Sequence, residues 1–291
     1  MVGRIIFFSV IFSLVFLLWG FDWPLKDKIL TSTFCQNFHQ NFNLGIHLSG
    51  KNKNVYPIAD GEILFYQEEK QGYESLPNGL GSFIVLHHEG NIQSCYGHLK
   101  KGSLAKLKGS VKKDDPLGVV GDTGSTIGGN LRLMLFNTEE GEILNPVRNL
   151  IPYFSDKKGP VINSVYLRRG GDLFQLSKDT RLEAGKGEVL IDTYDQREDI
   201  SRQWKLGLYQ ISLTYNGQEI KNIIFDSVKS LDSRQKIQGV ELDYHTIYST
   251  EGFLKLGEID FHQGNSHLHI RVGDFSGNTT EVEIFLKVGE E

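Results

Sequence analysis

Little in this 291-residue chain offers sulfur chemistry: it has two cysteines, Cys35 and Cys95. So few thiols cannot frame a disulfide-stapled scaffold, and neither stands in a ligand-pair or nucleophile motif. Positive charge is also short. Thirty-one Lys and Arg against 36 Asp and Glu leave a formal net charge of −5, which argues against a general binder of nucleic acid or of an anionic membrane. No nucleic-acid motif is present. Long apolar runs are missing except at the start. Ile5 to Trp19 is almost wholly apolar behind Arg4, shorter than the ~20 residues of a full membrane span and suited to a signal-peptide core. Leu18-Trp19-Gly20 makes a mediocre cleavage site, so residues 1–20 read as a signal peptide or an uncleaved N-terminal anchor. The remainder is expected to be exported, to a periplasm or cell envelope. No cysteine follows the run closely enough to carry a lipid.

What the chain has in quantity is short runs of β-branched and aromatic residues between glycine-rich turns. Ile63 to Tyr66, Phe83 to Leu86 and Leu117 to Val120 are examples, and they predict a mainly antiparallel, all-β fold. Glu68 to Leu80 is a longer polar connection, of the kind that carries recognition on a rigid sheet. Tyr153 to Gly159 is a polar bridge ending at Pro160, and the length suits two domains, read as 21–155 and 160–291. Beyond the bridge, strands are expected at Pro160–Leu167, Glu188–Tyr194, Leu208–Tyr215, Glu219–Phe225, Leu268–Val272 and Val282–Val288. Asn216-Gly217 is a strong hairpin turn, and Asp274 to Asn278 joins the last two strands. That spacing suggests a β-sandwich.

Residues 121–136 read GDTGSTIGGNLRLMLF. They resemble the G-x-T-G-x-S-T-G-x-H-L-H-F signature of the LytM/lysostaphin-type zinc endopeptidases, with Asn130 and Arg132 where the two histidines belong. The resemblance runs from about Trp23 to Leu150. Trp23-Pro24-Leu25 with Leu30 to Phe34 is similar to the entry strand, and Asn43 to His47 falls on the first ligand motif. Pro57 to Ile63, Gly79 to His87, Tyr96-Gly97-His98-Leu99, Val111 to Gly118 and Asn145-Pro146 match further family motifs in order, with Asp114 replacing an internal glycine. The resemblance implies an antiparallel β-sheet LytM-type peptidase domain. The later segment, through Gly207 to Gly217 and Val272 to Asn278, resembles the immunoglobulin-like β-sandwich attached to some exported relatives. Such domains usually bind or position.

In that family the zinc slots correspond to Asn43, His47 and Arg132, and the catalytic slots to His98 and Asn130. Catalytic zinc needs about three protein ligands and an open water position. Asn43 is a poor ligand, His47 could still bind, and Arg132 has no lone pair to give. The expectation is therefore no metal and no cofactor. Asn43 and Asn130 read as polar fillers of a vacated pocket, His47 as a hydrogen-bonded pocket residue, and His98 as a relic or a substrate-contacting donor. Arg132 alternates with Leu131 and Leu133, so it shares a face with Asn130. It reads as a groove-facing cation for an anionic group, or else as half of an ion pair. His267-Leu268-His269 repeats H-x-H without the preceding loop and reads as two surface histidines. His87 reads as structural, and the spacing of His39 recommends nothing. Cys35 and Cys95 lie near motifs that the resemblance brings to one groove, so a disulfide and two separate buried thiols both stay open.

The leading expectation is an exported, non-catalytic LytM-like protein that binds peptidoglycan stem peptides or a partner wall hydrolase. Its contact with membrane would be through the N-terminal segment alone. One alternative is an active zinc endopeptidase with relocated ligands, drawing on His47, His98 and a donor such as His39. The other is a structural envelope protein that uses both β domains for protein contacts.

Overall fold

The computed structural model describes residues 20–69, 78–104, 109–126, 128–178, 180–198 and 204–289. The leader expected over residues 1–20 lies outside them save for Gly20, as do the middle of the 68–80 connection and Ile127 of the signature. Among the described residues no helix is long and apolar enough to cross a membrane.

The expectation of an antiparallel all-β fold holds. The helices, Pro146–Asn149 and Tyr244–Ile247, are single turns capped by the side chains of Asn145 and Asp243. The main sheet of the N-terminal part is built on four neighbouring strands, Gly61–Gln67, Ser82–His88, Ile92–Leu99 and Leu131–Asn137, and the last of these also pairs with Ile46–Ser49. Alternation sends Leu131, Leu133 and Leu135 into one core with Ile46, Leu48, Ile84, Leu86 and Tyr96. The opposite face carries Phe83, Val85 and Cys95, with Leu80, Met134 and Phe136 packed on them. A buried polar chain ties the first core together. His88 bonds the Asp60 carbonyl and the Ser94 hydroxyl, and the Tyr96 hydroxyl accepts from Ser94 and from the Ile58 amide. His88, beside the expected His87, is thus a structural histidine.

The C-terminal part has two sheets, one of four strands and one of five. Val165, Leu167, Val189 and Ile191 from the first sheet meet Ile211, Leu213, Leu268 and Ile270 from the second in one core. All six expected strands are present, at Val161–Arg169, Gly185–Tyr194, Gln210–Tyr215, Gln218–Ile224, Gly264–Gly273 and Thr279–Gly289. Asn216 and Gly217 both have positive φ, as a two-residue hairpin turn of the primed type requires.

The two parts share structure. Glu142–Leu144 pairs with Ser227–Leu231, so the N-terminal sheet continues into the C-terminal segment. Phe34, Cys35 and Phe42 belong to the C-terminal core, while Leu206 and Phe275 pack with the N-terminal one.

Candidate binding groove

Arg132 stands in the strand Leu131–Asn137 directly opposite His47 on one side and Gly97 on the other. Its neighbours Leu131 and Leu133 fill the core, so its guanidinium rises from the other face together with Met134 and Phe136. Gly45 lets the chain carrying His47 come this close: a Cβ there would lie 2.4 Å from the Leu133 carbonyl oxygen.

His98 reaches the same place by an irregularity. Strict alternation from Tyr96 would aim His98 into the core. A register shift between Ser82 and Ile84 on the partner strand, and a φ of 63° at His98 itself, redirect it. Its ring centroid lies 5.6 Å from that of His47. Nδ1 sits 2.9 Å from the Thr123 carbonyl oxygen, which requires a proton on Nδ1 and leaves the lone pair on Nε2. Thr123 is fixed in turn, its hydroxyl donating to the Leu99 carbonyl and accepting from the Ser82 amide. Thr123 was missed in the sequence, although it belongs to the signature itself.

Asn43 is buried beside these residues. Its Nδ2 donates to the Ser32 hydroxyl and the Thr33 carbonyl, and Ser32 is the strand partner of His47. Asn130 lies at the head of the Arg132 strand and donates to Thr126 Oγ1 at 2.7 Å. The structure therefore gathers His47, His98 and Arg132, places Asn43 behind them through Ser32, and sets Asn130 at the strand entrance.

The remaining valences are unusual. Seven buried side-chain polar atoms among the described residues lack a hydrogen-bond partner, and five belong to these positions: Asn43 Oδ1, His47 Nε2, His98 Nε2, Asn130 Oδ1 and Arg132 Nε. Buried polar atoms are almost always paired elsewhere in proteins, so this concentration sets these five positions apart from the rest of the described residues. No carboxylate forms an ion pair with Arg132 among the described residues. Burial, then the charges of Arg132 and His98, pull His47 down to about 3. His98 is lowered mainly by burial, with its bond to Thr123 opposing and Arg132 adding. Both imidazoles are therefore neutral near neutral pH, and the guanidinium is the pocket's cation.

Beside this polar pocket the same face is apolar. Phe65, Val85, Cys95 and Met134 lie in one row across four strands. Phe65 is 53% exposed and meets Phe83 edge-on at 5.6 Å. At the other end, Phe38 of the hairpin Asn37–Phe38/Asn41–Phe42 lies edge-on against His47 at 5.5 Å. Nothing in the sequence pattern around Phe38 signalled that contact.

The remaining sulfur and histidine candidates fall elsewhere. Cys35 and Cys95 are free thiols in separate apolar clusters. Burial raises both, Cys95 to about 12. His39 is exposed at the hairpin turn. His267 stacks on Phe285 at 4.5 Å, and His269 pairs with Glu281 at 3.0 Å. The one trio of potential ligand side chains within 4.8 Å of one another, among the described residues, is Asp156, Asp195 and Asp274, outside the groove.

Residues 41–146 match the family model described as Peptidase family M23, and a second model without a functional description matches residues 159–289. No curated protein matches the chain. Similar solved structures include a variant of the catalytic domain of the prophage-encoded M23 protein EnpA from Enterococcus faecalis, at 20% identity, 40% of this chain, 88% of that one and a TM-score of 0.34. Lysostaphin from Staphylococcus simulans aligns at 13% identity over 82% of this chain and 88% of its own, with a TM-score of 0.31. The SpoIIQ–SpoIIIAH pore-forming complex aligns at 15% identity over 46% and 92%, with a TM-score of 0.37.

Proposed function

We propose that this chain, whose residues 41–146 match the family model described as Peptidase family M23, is an exported cell-envelope protein whose groove binds peptidoglycan stem peptides without cleaving them. The observation that carries this reading is Arg132: a cation beside two neutral imidazoles, with no carboxylate of its own. Stem peptides present free carboxylates, which a guanidinium holds by charge-assisted, often bidentate hydrogen bonds. The unpaired oxygens of Asn43 and Asn130 are acceptors suited to the amide N–H groups of such a peptide, and the apolar row ending at Met134 gives the rest of it a dry surface. A wall hydrolase presenting a carboxylate is the alternative occupant. The C-terminal part, read as an immunoglobulin-like sandwich, positions rather than reacts.

The donor set argues against zinc. Catalytic zinc takes about three protein ligands, and this pocket offers two imidazoles, two neutral amides and a guanidinium. Two unit charges ~4 Å apart repel by ~4 kcal/mol at an effective dielectric of ~20, and a dication meets about twice that beside Arg132. These residues do not fit a catalytic zinc, and no other group in the pocket would bring the pKa of water near neutrality.

Titration calorimetry with purified muropeptides bearing a free terminal carboxylate tests the reading. Arg132→Glu should weaken binding by at least about tenfold, as the loss of a charged hydrogen-bond partner does. Equal affinity in the variant overturns the groove assignment. A second reading, a purely structural envelope protein, is favoured by one observation: His98 and Asn43 are fully buried and His47 is only 6% exposed. Absence of any muropeptide binding by the wild-type chain selects it.

A further inference from the structure

The residues that hold the hairpin against His47 come from the other end of the chain. Tyr244 donates its hydroxyl to Asn37 Oδ1 at 2.7 Å, and Tyr248 donates to the Cys35 carbonyl at 3.1 Å. Gln36 Nε2 donates to the Lys205 carbonyl at 2.9 Å, and the Gly207 amide donates to Thr33 Oγ1 at 2.8 Å. Phe42 packs against both tyrosines, T-shaped to Tyr244 at 5.6 Å and to Tyr248 at 6.4 Å, while the tyrosine rings stack on each other at 5.1 Å. Phe34, Cys35 and Phe42 are accordingly part of the C-terminal core.

The tip is built differently from this root. Cys35, His39 and Gln40 all have φ between 50° and 59°, so the chain turns sharply at both ends of the short ladder that presents Phe38. His39, Gln40 and Asn41 are exposed, and no hydrogen bond joins the Phe38–Gln40 tip to the strands that carry His47, His98 or Arg132 among the described residues. Phe38 meets His47 in a T-shaped ring contact, with centroids 5.5 Å apart. The segment is thus gripped firmly at its base by the C-terminal part and lightly at its tip by the pocket.

We propose that this hairpin is a cap on the groove and that Tyr244 and Tyr248 are positioning residues that hold it closed, so access to the pocket is governed from the C-terminal part. A ligand reaches Arg132 and the two imidazoles when the tip swings away from His47. The five polar atoms left unpaired inside are what it would find there. The geometry also accounts for the coexistence of a polar pocket with nearly complete burial of its histidines. The functional consequence rests on the groove being a binding site, whereas the cap itself is a statement about the free protein.

The test reads imidazole access with no ligand present, so failure of the cap and failure of peptide binding are separable. Full-length protein is treated with diethyl pyrocarbonate, which carbethoxylates unprotonated imidazoles, and modification is followed at each histidine by peptide mass spectrometry. Phe38→Ala should raise the rate at His47 about tenfold or more, because local opening no longer precedes access. Tyr244→Phe removes one hydrogen bond from the root and should raise it about fivefold. Rates at His267 and His269, remote from the hairpin, should not change. Thermal midpoints, read in parallel, establish which variants are folded, and Tyr244→Phe is expected to remain folded even where Phe38→Ala does not. Two results overturn the cap: an unchanged rate at His47 in folded Tyr244→Phe, or a rise shared equally by the remote histidines.

Discussion

Arg132 and His47 sit directly opposite one another on adjacent strands, a cation facing an imidazole that burial has already made hard to protonate. Desolvation is the larger cause of the low His47 value and the guanidinium the second. Replacing Arg132 by Ala should therefore raise the His47 pKa by on the order of one unit and still leave it well below an ordinary histidine. Imidazole proton NMR across acid pH checks this. No movement would mean that the guanidinium points away from the ring.

Zinc content gives a second prediction. Wild-type protein purified without chelators should hold far less than one equivalent of zinc, since its pocket pairs two imidazoles with a fixed positive charge. R132H removes that charge and supplies a third nitrogen, and N43H in addition completes a set that zinc accepts. Zinc measured by elemental analysis should rise in that order. Near-stoichiometric zinc in the wild-type chain would sink the electrostatic argument.

Much of this arrangement is legible in the sequence. Alternation over Leu131 to Phe136 put the leucines inward and Arg132 outward, which is where they lie. The six expected C-terminal strands and the Asn216-Gly217 turn were legible because each has a local cause, a period of two or a residue tolerant of positive φ. What escaped depends on distant partners. His98 breaks the period through a bulge opposite Phe83, and no pattern within Tyr96 to Leu99 announces that. Ser227–Leu231 looks like an ordinary strand, and its attachment to Glu142–Leu144 across the chain is a property of the whole packing. Phe38 and Tyr244 lie far apart in sequence, and their common role emerges from the fold alone.

The buried polar chain in the first core supplies a stability test. Tyr96→Phe keeps the ring volume and removes the oxygen that accepts from the Ile58 amide and the Ser94 hydroxyl. A buried donor left without a partner costs about 1–3 kcal/mol, so urea unfolding should show a loss in that range with an unchanged slope. A loss below ~0.5 kcal/mol would mean that water reaches these groups.

The thiols should be silent in the native state. Both are buried and raised, Cys95 to about 12, so the thiolate fraction at neutral pH is negligible and access is blocked. An aromatic disulfide reagent should label neither in native protein and both in denaturant. Rapid native labelling of Cys95 would show that the apolar face around Met134 opens on its own.

The junction between the two parts supplies a pH-dependent test among the described residues. Asp156, Asp195 and Asp274 place their carboxylates within 4.8 Å of one another. Burial first, then Asp274 and Asp156, push Asp195 up to about 8, with the Gln196 amide and Arg197 opposing. Asp274 is raised as well, chiefly by burial. An acid whose folded pKa exceeds its unfolded value near 3.8 favours the folded state fully when both forms are protonated. That contribution falls as pH rises above about 4 and levels off above about 8. The wild-type protein should thus lose stability from mildly acidic to mildly alkaline pH through this cluster. Asp195→Asn keeps an oxygen for the Gln196 amide and cannot ionise. It should be more stable than wild type at pH 9, with the advantage shrinking steadily toward pH 5. Denaturant unfolding of both proteins at several pH values decides it: parallel stability profiles would show that Asp195 is ionised throughout and held by its neighbours.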